Sequence, residues 1–433
     1  MDGLGILLAL IILALFVFSR LLERNIYNPV SFFCLLFFVV FMLPSINLYG
    51  WVKVDYRIYL LCFSGVVAFV WGGLITMRHP VSINSKNAAR PQLRIWIYYL
   101  LLALTISYQI LYSGRVLSLL LRGRTMGQIR FMASNDYAID NGFNVLTRSR
   151  IDSIINRNLV KPTVNILIPI SIVRSINQNG TINIKNLFLM LILCSLETFR
   201  TGGRFILVIC IFQYFTYYLF ANKKIHFSGK QRRFIRIGIV SLAIGVGFFT
   251  YMRKDTATLN SLFKEFYVYY GGALTNFSIR FDELISKPKT YGFCFAFPYT
   301  SIIYRALRAI IGFSDPKAYI QALNVVLELQ KKVYVSETQT FNAFVTLFYY
   351  FYLDFGFIGT LLLSFLYGVI CSSVYNSMKK NGDLLASASY LWIINGLTYS
   401  MVRWQFYASA YAYGIIVLLL LFSRHKVSLK VKR

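Results

Sequence analysis

The sequence LGILLALIILALFVF occupies residues 4–18 and contains no charged side chain. Further apolar runs of about 17 to 22 residues recur along the chain, and each is long enough for a helix to cross a hydrocarbon core of about 30 Å. Of the 433 residues, 57% are hydrophobic and 14% are charged, whereas soluble domains carry about a quarter charged residues. Mean hydropathy is +0.59. These features predict an all-α polytopic integral membrane protein.

Hydropathy predicts about eleven transmembrane helices, within a range of about 10 to 14, in one transmembrane domain covering residues 1–433. The first run has no Lys or Arg before it and no small-residue cleavage site, so we expect a retained helix rather than a signal peptide. The predicted spans are 3–19, 30–48, 58–77, 95–112, 162–177, 186–200, 204–221, 235–252, 357–376, 386–402 and 406–422.

Charge in the short connections predicts the orientation of the chain. The segments 78–94, 223–236, 379–380 and 424–433 are basic and lie on alternate connections, which the positive-inside rule assigns to the cytoplasm. Two long segments, 113–161 and 253–356, then form extracytoplasmic loops. Stretches 301–312 and 318–332 within the second loop have helical amphipathic spacing, which is typical of short helices in the membrane interface.

The net charge of +29 is only partly explained by positive-inside bias, because the outer loops are basic too. The first outer loop contains seven arginines and one lysine. Guanidinium groups bind phosphate bidentately, so this choice favours a surface for pyrophosphate or acidic sugars. A solvated face that touches lipid headgroups is the alternative. The basic residues are Arg115, Arg122, Arg124, Arg130, Arg148, Arg150, Arg157 and Lys161.

A tight turn places two more arginines between apolar runs. In the sequence ETFRTGGR, residues 197–204, Arg200 and Arg204 flank a Gly-Gly pair, and Glu197 lies one helical turn before Arg200. That spacing predicts a Glu197–Arg200 ion pair. Ionisable groups at spanning segments are costly and indicate a functional site, although interfacial anchoring by snorkelling arginines explains them equally simply.

The second outer loop supplies further candidates. Arg253 and Arg280 are candidate anion ligands, Asp282 is a candidate base, and Tyr269 and Tyr270 adjoin a Gly-Gly pair. Tyrosines suit sugar stacking, but they are also the ordinary residues of the membrane interface.

Four more candidates lie towards the carboxyl end of the chain. Glu337 and Asp354 are further candidate bases, Tyr349 is a candidate glycan contact, and Arg403 follows the tenth predicted span. Asp354 also suits the N-cap of the ninth predicted span.

The sequence lacks residues and motifs that several kinds of active site require. The three histidines, His79, His226 and His425, all fall on the predicted cytoplasmic side. The sequence has no HExxH or DxD motif and no Gly-rich nucleotide loop, so we expect no metal, cofactor or nucleic-acid partner.

Three stretches resemble one family. RTGGRF (200–205), YYGG…NF (269–277) and FNAF…YYFYLDFGFIG (341–359) resemble the Wzy-type O-antigen and capsule repeat-unit polymerases. The resemblance implies a fold similar to the lipid-carrier glycosyltransferases, including the O-antigen ligases, in the bacterial cytoplasmic membrane. It implies an undecaprenyl-pyrophosphate-linked oligosaccharide as substrate, membrane lipids around the chain and a chain-length regulator as partner.

The implied reaction is metal-independent transfer of a growing glycan from its lipid diphosphate onto the non-reducing end of the next lipid-linked repeat unit. Fixed guanidinium groups would stabilise the leaving pyrophosphate. We assign this role to Arg200, Arg204, Arg253 and Arg280, with Arg403 in support, and name Asp354, Glu337 and Asp282 as alternative bases. The competing functions are a flippase for the same lipid-linked glycan, a ligase and a non-catalytic scaffold. Ligases of this group carry an outer histidine that this chain lacks.

Overall fold

A computed structural model describes residues 2–79, 91–129, 149–176, 182–203, 205–221, 259–337 and 339–424. In this part of the chain, five helices are long and apolar enough to cross a membrane. They are Gly3–Glu23, Pro29–Ile46, Tyr56–Arg78, Ile95–Leu121 and Leu347–Asn381. Phe205–Ala221 is a shorter apolar helix. The chain is therefore an α-helical membrane protein.

The helices and strands follow each other in this order. The first half contains α1 (Gly3–Glu23), α2 (Pro29–Ile46), α3 (Tyr56–Arg78), β1 (Pro91–Leu93), α4 (Ile95–Leu121), α5 (Arg150–Ile155), a π-helical turn (Asn156–Val160), α6 (Lys161–Ser175), α7 (Ile184–Thr201) and α8 (Phe205–Ala221). The second half contains α9 (Leu259–Ile279), α10 (Phe281–Ser286), α11 (Phe297–Ile311), α12 (Lys317–Gln330), β2 (Val333–Tyr334), β3 (Thr340–Phe341), α13 (Leu347–Asn381), α14 (Leu384–Tyr399), a 3-10 turn (Gln405–Tyr407), α15 (Ser409–Ala412), α16 (Gly414–Leu421) and β4 (Phe422–Arg424).

Contacts divide the predicted single domain into two compact units. Unit 1 comprises Met1–Ile83, Phe263–Asn381 and Ile393–Ala412, and unit 2 comprises Asn84–Leu262, Gly382–Trp392 and Tyr413–Arg433. Each unit is assembled from segments that are distant in sequence.

In unit 1, glycines let α3 and α13 approach closely. A Cβ atom on Gly72 would lie 2.2 Å from the Phe365 carbonyl oxygen, and one on Gly368 would lie 2.2 Å from the Phe69 carbonyl oxygen. Small residues at such crossings allow membrane helices to gain van der Waals contact along their backbones. Phe33 and Phe69 stack beside this crossing with ring centroids 3.9 Å apart.

The second predicted outer loop is largely folded into helices of unit 1. The predicted amphipathic helices are confirmed as α11 and α12, and α12 buries Tyr319, Ala322, Val325 and Leu329 on one face. The Lys287 ammonium joins α10 to α12, since its Nζ lies 2.8 Å from Glu283 and 2.7 Å from Glu328. β2 and β3 form a small antiparallel hairpin.

In unit 2, α4, α6, α7, α8 and α16 pack together, and β1 pairs with β4. The π-helical turn joins α5 to α6 without a break, so one helix runs from residue 150 to 175. Asn156 begins this turn, and its side-chain oxygen accepts a hydrogen bond from Arg200 on α7.

Several predicted boundaries are wrong. Residues 113–121 belong to α4, because Tyr112 and Val116 pack against Met126, Ile129 and Phe199 and so extend the helix. α13 begins at Leu347, ahead of the predicted span 357–376, and its break at Phe355 and Gly356 directly precedes that span. The last predicted span, 406–422, is divided among short helices. The predicted span 235–252 lies outside the described residues.

Candidate functional site

Helix α13 is interrupted near its start by two residues with non-helical backbone, Phe355 and Gly356. Gly356 has φ +68° and ψ −149°, a conformation that L side chains rarely adopt. The carbonyls before the break accept hydrogen bonds from a neighbouring loop: Thr290 N–H donates to Leu353 at 3.0 Å, and Tyr291 N–H donates to Asp354 at 3.1 Å. Because the protein supplies these donors, a break is tolerated in an apolar helix.

The Asp354 carboxylate fastens the same loop. Its Oδ1 accepts from the Thr290 hydroxyl at 2.5 Å and from the Cys294 N–H at 3.0 Å, while Oδ2 accepts from the Phe295 N–H at 2.8 Å. Asp354 is fully buried, so these contacts give it a positioning role. The predicted N-cap is wrong, since the donors belong to residues 290–295 and not to the helix of Asp354. A role for Asp354 as the base stays a prediction.

Lys289 lies beside the break and was not singled out in the sequence. Its Nζ lies 4.2 Å from the centre of the Tyr352 ring, and among the described residues it forms no salt bridge. Burial lowers the pKa of Lys289, because no carboxylate compensates for the lost hydration. Phe355, Phe357 and Ile358 are exposed next to it. A cation therefore borders an apolar surface suited to lipid.

Asp282, a predicted base, is an exposed partner of Arg57. Arg57 Nη2 lies 2.9 Å from Asp282 and 2.6 Å from Asp55, and its guanidinium covers the Phe281 ring. The side-chain hydrogen bond from Arg57 lowers the pKa of Asp55, with burial opposing it. Asp282 thus shares a surface ion-pair network.

The Arg280 side chain donates its hydrogen bonds to protein acceptors. Its side chain is 7% exposed, its Nε donates to Asn276 Oδ1 at 2.9 Å, and Nη1 and Nη2 donate to the main-chain carbonyls of Glu328 and Lys331 at 3.1 and 2.5 Å. These bonds tie α9 to the end of α12. The guanidinium fork of Arg280 is therefore committed to holding the outer helices of unit 1 together.

Arg403 differs from Arg280 in how much of its guanidinium is bound by protein acceptors. Its guanidinium carbon lies 4.7 Å from the centre of the Tyr399 ring, and its Nε donates to Gln405 Oε1 at 2.8 Å. Over the part of the chain that the structure describes, Gln405 is the only hydrogen-bond acceptor of the Arg403 side chain, and no salt bridge uses its terminal nitrogens. The side chain is half-buried. Arg403 is thus a positioned fork with donors left for an anion.

The site residue Tyr270 lies near Tyr399, the residue on whose ring Arg403 lies. Burial, together with the neighbouring Tyr399, raises the pKa of Tyr270 to about 12. Tyr269 is next to it, with ring centroids 5.4 Å apart, and also packs on Phe344 at 4.7 Å. Tyr270 is therefore related to Arg403 through Tyr399, which influences the Tyr270 phenol and whose ring contacts the Arg403 guanidinium.

Tyr349 is part of the core. It is 2% exposed, and its ring lies 5.4 Å from that of Phe277. Glu337 is exposed in the bend between β2 and β3. The roles of Tyr349 as a glycan contact and of Glu337 as a base stay predictions.

Arg200 lies in unit 2, where the predicted ion pair with Glu197 is confirmed. Its Nη2 lies 2.5 Å from Glu197 Oε1, its Nη1 donates to Asn156 Oδ1 at 3.0 Å, and its guanidinium faces the Tyr112 ring at 5.5 Å. Gln109 completes the group by donating to Glu197 at 3.1 Å. Arg200 is 3% exposed, so it is a buried network member and not a surface arginine.

The remaining sequence candidates, Arg204 and Arg253, lie outside the described residues. α7 ends at Thr201, one residue after Arg200, and Gly202 with a φ of +59° follows it as the Gly-Gly pair predicts. Lys289, Gln405 and Tyr399 were missed, since none belongs to a motif. Lys289 lies in the loop of residues 287–297, which Asp354 of α13 holds in place. Because Asp354 lies about 60 residues beyond Cys294 of that loop, no short sequence pattern indicates the position of Lys289.

Comparisons with known proteins identify no relative of this chain. No protein-family model, no curated protein and no solved structure matches the chain.

Proposed function

We propose that the chain polymerises lipid-linked oligosaccharide repeat units at the outer face of a bacterial cytoplasmic membrane. The substrate is a glycan on undecaprenyl pyrophosphate, and the product is the glycan transferred to the non-reducing end of the next lipid-linked unit. The proposal rests on the resemblance of three sequence stretches and on one structural observation. That observation is the Arg403 guanidinium, which lies on Tyr399 with donors left over.

In the proposed reaction, an acceptor hydroxyl oxygen attacks the anomeric carbon of the donor glycan. The bond between that carbon and the pyrophosphate oxygen breaks, and the electron pair leaves with the lipid diphosphate. The hydroxyl proton passes to a base, for which Glu337, Asp282 and Asp354 remain the candidates. A fixed cation stabilises the charge that develops on the leaving group, so no metal is required.

Arg403 suits the stabilisation of the leaving pyrophosphate better than Arg200 and Arg280, the other two described arginines to which the sequence assigns this role. Arg280 and Arg200 are buried and bound to protein acceptors, whereas Arg403 is oriented by Tyr399 and Gln405 and keeps its terminal nitrogens available. A charge-assisted contact of this kind contributes about 1.5–3 kcal/mol. Lys289, beside exposed apolar residues of α13, is a further cation at a surface suited to lipid.

Replacing Arg403 with Lys tests the proposal. Lysine keeps the charge but loses the bidentate fork, so polymer chain length should fall sharply while the amount of membrane protein stays constant. Arg305→Lys is the matched control, because Arg305 is exposed on α11. Polymer of normal length in the Arg403→Lys strain would remove Arg403 from the site.

A flippase for the same substrate is the second candidate function. The break in α13 and the buried Asp354 favour it, because transporters bind their substrates at discontinuous helices. The location of single repeat units after loss of the gene separates the two functions. Accumulation outside the membrane indicates a polymerase, and accumulation inside indicates a flippase. Long polymer left on the lipid carrier would instead indicate a ligase.

A further inference from the structure

A separate cavity of about 400 Å³ lies within unit 2, where α4 and α7 begin and α6 ends. Its wall includes Tyr98, Arg174, Lys185, Asn186, Phe188 and Ile192. The predicted topology places this end of the unit at the cytoplasmic leaflet.

One side of the cavity is cationic. The Arg174 guanidinium lies 5.1 Å from the centre of the Tyr98 ring, and its main-chain carbonyl accepts from Asn186 Nδ2 at 3.1 Å, so both its side chain and its backbone are positioned. Lys185 is exposed at the first turn of α7. No carboxylate lines the cavity, and neither cation forms a salt bridge within the described ranges. The site therefore attracts an anion.

The other side of the cavity is apolar and continues along α7. Phe188, Leu189 and Ile192 share one face of that helix, and Phe188 is 62% exposed. Trp96 and Tyr99 on α4 are also exposed, as is typical of residues at the boundary between headgroups and hydrocarbon. A soluble anion would contact only the cationic side of the cavity. A lipid would contact the cationic side with its headgroup and the apolar side with an acyl chain.

We propose that this cavity binds an anionic phospholipid, with its phosphate between Arg174 and Lys185 and an acyl chain along Phe188 and Ile192. Basic pockets between transmembrane helices recognise anionic headgroups in this way. Arginine forms the bidentate contact, and lysine adds a point charge at the rim of the cavity.

Native mass spectrometry of the full-length protein, released from nanodiscs, tests the proposal with defined lipids. Phosphatidylglycerol should remain bound in preference to phosphatidylcholine, and the double variant Arg174→Gln, Lys185→Gln should weaken phosphatidylglycerol binding by about tenfold or more. Arg78→Gln is the matched control, since it removes an exposed cation from the end of α3, outside the cavity. Equal retention of the two lipids, or unchanged binding in the double variant, would overturn the proposal.

Three further measurements keep the test independent of folding and of the ligand's source. Lys185→Gln alone changes an exposed residue and should still weaken binding, whereas Ile192→Trp should block the acyl chain while both cations remain. Glycerol phosphate, which has no acyl chain, should fail to compete at millimolar concentration. Competition by glycerol phosphate would assign the cavity to a soluble phosphate and overturn the lipid.

Discussion

Four basic side chains among the described residues fall into two groups according to the groups that they contact. Arg280 and Arg200 donate to protein oxygens in buried surroundings, where an unpaired charge would cost several kcal/mol. Arg403 and Lys289 face aromatic rings and have no carboxylate partner in the described segments. The first group holds helices together, and the second group is suited to an anionic ligand.

Replacing Asp354 tests whether its carboxylate stabilises the fold. Asn at this position keeps one acceptor but turns an amide towards the Phe295 N–H, so we expect a loss of stability of about 2 kcal/mol or more. Thermal unfolding of the purified protein in detergent measures the change. Thr290→Val removes one donor and leaves the carboxylate, so a smaller loss is expected. An Asp354→Asn protein with unchanged unfolding temperature and no transfer activity would instead make Asp354 the base.

Sequence reasoning at the residue scale succeeded where partners are close along the chain. The Glu197–Arg200 pair follows from a spacing of one helical turn. The commitment of Arg280 to the carbonyls of Glu328 and Lys331 could not be predicted, because those acceptors lie about 50 residues further on and are main-chain atoms of any sequence.

At the scale of elements, the crossing of α3 and α13 depends on glycine. Gly368→Ala would bring a methyl group to 2.2 Å from the Phe69 carbonyl oxygen, so the two backbones must separate. We expect a loss of about 1–3 kcal/mol, measured as a lower unfolding temperature. Gly114→Ala, in a helix with nothing within 4 Å of the added carbon, should be neutral or slightly stabilising. Equal effects of the two changes would contradict the close crossing.

The same scale shows where hydropathy predicts helices well and where it does not. α3 is Tyr56–Arg78 against a prediction of 58–77, because polar residues bound the apolar run at both ends. α9 was missed, since its apolar positions are interrupted by Lys264, Glu265 and a Gly-Gly pair that packs against Leu43, Trp51 and Phe341. Such a helix becomes evident only from its tertiary contacts.

At the scale of the whole molecule, the two units could not be read from the sequence, because each combines segments from both halves of the chain. The membrane-embedded, all-α character could be read, since it follows from composition and run length alone. The number of spans and the orientation stay predictions.

Cysteine labelling in cells tests that orientation. The six native cysteines are buried, so the background should be low. We expect Tyr334→Cys, at an exposed position in β2, to react with a membrane-impermeant maleimide in spheroplasts, and Lys380→Cys to react only after lysis. The reverse pattern would place residues 253–356 in the cytoplasm and remove the proposed reaction.

Reconstitution of the reaction tests the central claim most directly. Purified full-length protein in lipid vesicles, given undecaprenyl-pyrophosphate-linked repeat units and an excess of chelator, should produce a ladder of longer lipid-linked glycans. Arg403→Lys protein should produce a much shorter ladder under the same conditions. Single repeat units that stay unextended with folded wild-type protein, in the presence and absence of divalent metal, would contradict the account.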